Sequence, residues 1–187
     1  MPLQSVELVL DAATDEAVRG LWQALAEAGL PSQADHRGPT NAPHVTLAAV
    51  PVVSAAAEEA LVPLAARLPL QLELAAPALL GERRPALVLP VRPGAELGRL
   101  HVDVDSALAA DRAVPAGGAV AGDGPGVPDG GDAELPWVPH VTLARRLRPE
   151  VCGAALALVQ SLDSPTAAIG TALRRWDPEL RRAWLVG

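Results

Sequence analysis

Six consecutive residues, Pro43-His44-Val45-Thr46-Leu47-Ala48, recur without change as Pro139-His140-Val141-Thr142-Leu143-Ala144. Alanine and leucine are abundant in this chain, but it holds only 4 histidines, and two of them occupy the same place in the same hexapeptide. Composition does not produce such a repeat, so an internal duplication is the economical reading. Side chains of a strand alternate between its faces, which puts His44 and Thr46 on one side and Val45 and Leu47 on the other. His140 and Thr142 are sorted from Val141 and Leu143 in the same way. Two halves packed about a pseudo-twofold axis would bring all four polar side chains to one cleft, with an imidazole on each side of a ligand.

The flanking segments support two similar halves. Alternating apolar residues predict a strand over Gln4 to Leu10, and a helix follows from about Thr14, with Val18, Leu21, Trp22 and Leu25 at helical spacing until Gly29 stops it. A polar loop, Pro31 to Ala42, leads to a strand at Pro43 to Val50, a helix at about Ser54 to Leu68 and a short strand near Leu70 to Leu74. The second half repeats the order: strand Ala86 to Val91, helix Glu96 to Ala110, strand Trp137 to Ala144, helix Glu150 to Leu162, then closing strands near Thr166 to Leu173 and Arg182 to Val186. The expected unit is one domain of two lobes, about 1–78 and 79–187, each strand-helix-strand-helix-strand. Chain order alone permits either a parallel sheet or an antiparallel arrangement of two equivalent lobes. Residues 111–136 are dominated by Gly, Pro, Ala and Asp and read as a long flexible insertion; a lid is the sharper alternative.

Composition narrows the chemistry. The formal charge is -7 and the pI about 5.0, which disfavours a protein that grips long nucleic acid through many phosphates and suits a small or terminal phosphate ligand. All 15 basic residues are arginines, so a lysyl-nucleotide intermediate and a Walker-type phosphate loop are both excluded. Tyr and Phe are absent, leaving 4 tryptophans as the only aromatic platforms for a base. Cys152 stands alone, with no partner for a disulfide or a cysteine zinc site, and reads as a small buried hydrophobe. The first ten residues carry neither a basic cluster nor a long apolar run, so no signal peptide or membrane span is expected and a cytoplasmic location follows by default.

Phosphodiester chemistry needs one group to take a proton from the attacking oxygen and another to return one to the leaving oxygen. Two imidazoles, with an unperturbed pKa of about 6.5, can divide those roles near neutral pH. The threonine hydroxyls would donate to the non-bridging oxygens, and no metal or cofactor is called for.

On these residues the chain resembles the 2H phosphoesterase superfamily, in its group named 2′-5′ RNA ligase-like or RNA 2′,3′-cyclic phosphodiesterase. That family carries two His-hydrophobic-Thr/Ser-hydrophobic motifs, one per lobe, and both are present as His44-Val45-Thr46-Leu47 and His140-Val141-Thr142-Leu143. The resemblance implies a bilobal α+β fold whose antiparallel sheets flank a central cleft with the helices outside. It also implies metal-independent hydrolysis of 2′,3′-cyclic phosphates on RNA ends or nucleotides, with 2′-5′ ligation in some members. His44 and His140 would be catalytic; Thr46, Thr142 and Arg145 would bind substrate, Arg145 lying in the basic ending common after the second motif. Relatives often place an aromatic beside the cleft, and Trp137 is the substitute here. The expected partners are RNA ends or a small cyclic nucleotide or other phosphodiester, not duplex DNA and not a membrane, and the chain is expected to be a monomer.

Other readings are available for the same residues. The histidines could be structural members of a duplicated strand, the threonines β-branched strand filler, and the whole a binding module for nucleotides or RNA ends that lacks turnover. A related enzyme acting on a different small phosphodiester is the remaining alternative. His36 and Arg37 read as a solvated loop pair, His101 as a helix-surface residue, Trp22 as core, and Trp176 and Trp184 as supports of the closing strands. Arg174, Arg175, Arg181 and Arg182 read as a solvated basic face, with a phosphate patch as the minority interpretation. Asp103 and Asp105 fall on different helix faces, which argues against a paired-carboxylate site.

Overall fold

A computed structural model describes residues 2–36, 38–112 and 137–187 of the chain. The chain runs β1 (Gln4–Leu10), α1 (Ala12–Glu27), a short 3-10 turn (Gln33–Asp35), β2 (His44–Val50), α2 (Ala55–Ala65), β3 (Leu70–Leu74), β4 (Ala78–Leu80) and β5 (Ala86–Arg92). It continues α3 (Ala95–Ala107), α4 (Ala109–Arg112), β6 (His140–Ala144), α5 (Pro149–Gln160), β7 (Ala167–Asp177) and β8 (Arg182–Leu185). This is an α+β fold in which every strand pairing among the described residues is antiparallel. The expected insertion at 111–136 begins inside α4, where Asp111 is buried and accepts from the backbone N–H and the hydroxyl of Ser54, the N-cap of α2. Beyond Arg112 that segment lies outside the described residues. Among them no helix is long and apolar enough to cross a membrane.

The strands expected as two separate sheets form one hydrogen-bonded network. Around it β1 pairs β2, β2 pairs β6, β6 pairs β5, β5 pairs β3, β3 pairs β7, and β7 returns to β1, so six strands close a ring. β4 and β8 hang on β5 and β7. The third strand of each half thus pairs into the other half. β7 runs longer than its sequence suggested, to Asp177, because Arg174 and Arg175 are accommodated within it by carboxylates of the neighbouring elements.

Local chemistry explains the elements. Asp11 caps α1 by accepting from the Thr14 N–H and hydroxyl, and its second oxygen takes the Ile169 N–H, tying the helix start to β7. Gly29, at φ +69°, ends the helix in the left-handed region. Val18, Leu21, Trp22 and Leu25 form its buried stripe. The helices cross between halves: α1 packs on β6 and α3 on β2, so each motif strand is backed by a helix from the opposite half. At Gly170 a Cβ would sit 2.6 Å from the buried Leu8 side chain, which explains why β7 carries a glycine where it passes β1.

Candidate active site

Strands β2 and β6 meet in antiparallel fashion at one registered pair, Val45 with Val141, and both valines are sealed in the core. Leu47 and Leu143 point the same way and are buried, while His44, Thr46, His140 and Thr142 are partly exposed on the other face. Antiparallel pairing centred on Val45 and Val141 sets His44 toward Thr142 and Thr46 toward His140. The alternation read from the sequence is therefore present, and the two motifs face each other head to tail. Each also contains the same register irregularity: Thr46 opposes Glu7 and Ala48 opposes Val6, while Thr142 opposes Val88 and Ala144 opposes Leu87.

The two imidazoles are held alike. His44 Nδ1 lies 2.7 Å from the carbonyl oxygen of Ala42, and His140 Nδ1 lies 2.7 Å from that of Val138. A carbonyl only accepts, so each Nδ1 carries hydrogen and donates, leaving Nε2 as the nitrogen that can exchange a proton. Burial, above all, disfavours protonation of His140 and moves it below the ordinary imidazole value of 6.5; the charges of His44 and Arg145 act in the same direction, against the Val138 hydrogen bond.

Arg145 follows β6 and lies close enough to His140 for its charge to be felt there. With its amide oxygen turned toward the guanidinium, the buried Gln33 accepts from Arg145 Nε at 2.7 Å and Nη2 at 3.3 Å, and donates to His36 Nε2 at 3.2 Å. His36 is exposed, as its loop reading expects, and stands one contact from Arg145. It also lines a cavity of about 300 Å³ with Arg19, Trp22 and Asn41, and neither motif histidine reaches that cavity. Arg37 lies outside the described residues.

Trp137 donates its indole N–H to the Thr46 carbonyl at 3.1 Å and stacks on His101, with centroids 3.9 Å apart and planes 10° from parallel. One face of the indole is therefore covered. His101 accordingly does more than decorate a helix: its Nδ1 bonds the Leu47 carbonyl at 2.9 Å, and burial lowers its affinity for a proton. Trp22, expected in the core, is 3 % exposed and also donates to a motif carbonyl, that of Thr142 at 3.0 Å.

The clearest departures from expectation are on β1 and β7. Arg174 and Arg175 are ion-paired inside the protein, to Glu7 and Glu58, whereas Arg181 and Arg182 are exposed. Glu7, 1 % exposed, escapes a reading of the sequence because Val6, Leu8 and Leu10 mark one face of the strand as the core and put Glu7 on the other. It accepts from Ser5 Oγ at 2.8 Å and from Arg174 Nε and Nη2 at 2.8 and 2.5 Å, and its Oε1 lies 3.5 Å from His44 Nε2. Burial alone would raise its pKa, but His44, Arg174 and these hydrogen bonds outweigh burial and hold it below 4.5. An acid placed in mid-strand between Val6 and Leu8 is the signal that could have found it.

A family model described as the 2′-5′ RNA ligase superfamily matches residues 11–179. Among solved structures, E. coli LigT complexed with 3′-AMP is similar at a TM-score of 0.52 with 19% identity, covering 98% of this chain and 92% of that one. LigT complexed with NADP+ gives a TM-score of 0.51 at 22% identity over the same shares. Usb1 of Kluyveromyces marxianus gives 0.50 at 12% identity, covering 98% of this chain and 96% of its own. No curated protein sequence matches the chain. At these identities the solved structures testify to the fold.

Proposed function

The chain belongs to the 2′-5′ RNA ligase superfamily, and from that premise we propose that it is a metal-independent phosphoesterase opening 2′,3′-cyclic phosphates of RNA ends or nucleotides by two-histidine acid–base catalysis. The supporting observation is the matched capture of both Nδ1 atoms by backbone carbonyls two residues upstream, on strands that pair antiparallel. That arrangement frees one Nε2 on each side of a shared centre. One takes a proton from water as its oxygen bonds to phosphorus. The other gives a proton to the ribose oxygen as the ring P–O bond breaks, and a phosphomonoester leaves. Thr46 and Thr142 donate to the non-bridging oxygens, and Arg145, fixed by Gln33, meets the phosphate charge. Trp137 contributes the edge and the open face of its indole at the cleft. The ligands of the two LigT structures, 3′-AMP and NADP+, guide the choice of a nucleotide-sized substrate.

The test is chromatography of products from cyclic nucleotides, RNA ends and small diesters, run with a chelator present. A cyclic nucleotide should be opened, and His44→Ala or His140→Ala should lower turnover by at least about 10²-fold with folding intact. Saturable nucleotide binding without product would instead identify a binding module, and turnover restricted to another diester would reassign the substrate.

A further inference from the structure

The two motifs match in sequence, register and imidazole anchoring, but their neighbours differ. The residue opposite Thr46 on β1 is Glu7, and the residue opposite Thr142 on β5 is Val88, a hydrocarbon. The Glu7 carboxylate lies at the Nε2 edge of His44 at 3.5 Å, too long for a formed hydrogen bond but well within Coulombic reach. Arg174 Nη2 lies 3.4 Å from Nδ1 of the same ring. Nδ1 already donates to Ala42 and cannot accept from the guanidinium, so that contact is electrostatic alone. The ion pair therefore straddles the imidazole, anion at Nε2 and cation at Nδ1. The negative end of the pair thus sits beside the nitrogen that the Ala42 carbonyl leaves unoccupied. At His140 the charged neighbours are cations, Arg145 and His44, and both oppose a proton there.

We propose that Glu7 is a positioning residue that makes His44 the proton donor and leaves His140 the proton acceptor when a cyclic phosphate is hydrolysed. This rests on the two-histidine reading and adds a direction to it. His140 Nε2 removes a proton from water while the water oxygen bonds to phosphorus. The P–O bond to the ribose breaks, its electron pair takes the proton from His44 Nε2, and exchange with solvent resets both rings. The burial that disfavours protonation of His140 agrees with the acceptor role.

The discriminating variable is the leaving group. A ribose alkoxide needs a proton donor, whereas nitrophenolate departs without one, so a defect in donation disappears on an aryl ester. A 2′,3′-cyclic nucleotide and a nucleoside 4-nitrophenyl phosphodiester are compared. On the cyclic substrate, His44→Ala should lose about 10²-fold and Glu7→Gln about 10-fold, and both losses should shrink below about 3-fold on the aryl ester. His140→Ala should lose about 10²-fold on both. Should Glu7→Gln unfold because Arg174 is left uncompensated, Glu7→Gln/Arg174→Gln removes both buried charges and should show the same pattern. Equal losses of the Glu7 variant on both substrates, or rescue by nitrophenolate at His140 instead, would overturn the assignment. Histidine 15N spectra test the same polarity without turnover. At one pH, hydrogen should occupy Nε2 more at His44 than at His140, and Glu7→Gln should narrow the difference; an unchanged difference sinks the proposal. Wild-type protein inactive on both substrates would sink the two-histidine reading and this inference together. An active enzyme indifferent to Glu7 would sink the inference alone.

Discussion

Trp22 donates its indole N–H to the carbonyl oxygen of Thr142, a residue 120 positions away, at 3.0 Å. Trp137 does the same for Thr46 at 3.1 Å, so each motif threonine has its backbone held by a tryptophan. The motif strands share only the Val45 and Val141 pair, and these indoles satisfy carbonyls next to that short junction. Trp22→Phe should leave the Thr142 carbonyl without this donor and cost about 1–3 kcal/mol in urea unfolding. Trp137→Phe should cost less, because Trp137 is only partly buried. Equal stability of Trp22→Phe and the parent would show that the brace is dispensable.

Thr46→Val and Thr142→Val replace a hydroxyl by a methyl of similar shape and leave the strands packed. Removing one donor to developing oxyanion charge costs roughly 10²-fold in other hydrolytic sites. Each substitution should therefore lower kcat by about 10-fold or more with an unchanged melting temperature, measured on the substrate that the product survey identifies. A loss confined to KM would move the threonines from transition-state to ground-state contact.

The proton acceptor must be neutral to act. Since burial, His44 and Arg145 hold His140 below 6.5, the acid limb of kcat/KM should fall below pH 6.5, with activity rising as pH increases through that limb. Arg145→Gln removes one of the opposing cations and should move the limb upward. A limb that stays in place would mean that the arginine is not felt at His140.

Glu7 sets the acid side of stability. Its pKa is lower in the folded protein than the ordinary 4.5, so the unfolded chain binds the proton more readily. The contribution is complete above pH 4.5 and is lost as pH falls through the folded value. Denaturant melts should show stability falling with acid below pH 4.5, and the fall should be shallower in Glu7→Gln, whose side chain does not titrate. Identical acid profiles would contradict the ionised assignment.

Gly170→Ala should destabilise the protein by about 1–3 kcal/mol, since its Cβ would fall 2.6 Å from Leu8 in a closed core. Thermal unfolding of the variant checks it, and an unchanged midpoint would show that Leu8 has room to move.

How much of the molecule was legible in the chain depended on the range of each interaction. The repeated hexapeptide exposed both motif strands and their facing, because alternation is a local property of the backbone. The start of the second helix was readable for the same reason, through the Ser54 side chain that caps nearby N–H groups, whereas the first helix, expected from Thr14, begins at its cap Asp11. The closing of the ring was not: β7 pairs with β1 and β3 through contacts far apart in sequence, which no local pattern encodes. Arg174 and Arg175 looked solvated because Glu7 and Glu58, which neutralise them, lie 167 and 117 residues earlier. Glu7 itself was hidden by its place on the strand face opposite Val6 and Leu8, although a buried acid calls for a buried cation.

The circular pairing of β1, β2, β6, β5, β3 and β7 has a mechanical meaning for the two motif strands. A pair of jaws on a hinge would let the imidazoles drift apart. A hoop resists that, since widening one joint strains every other, and the spacing of His44 and His140 is held by the pairing of their strands. Such a vice is pre-set by its own backbone.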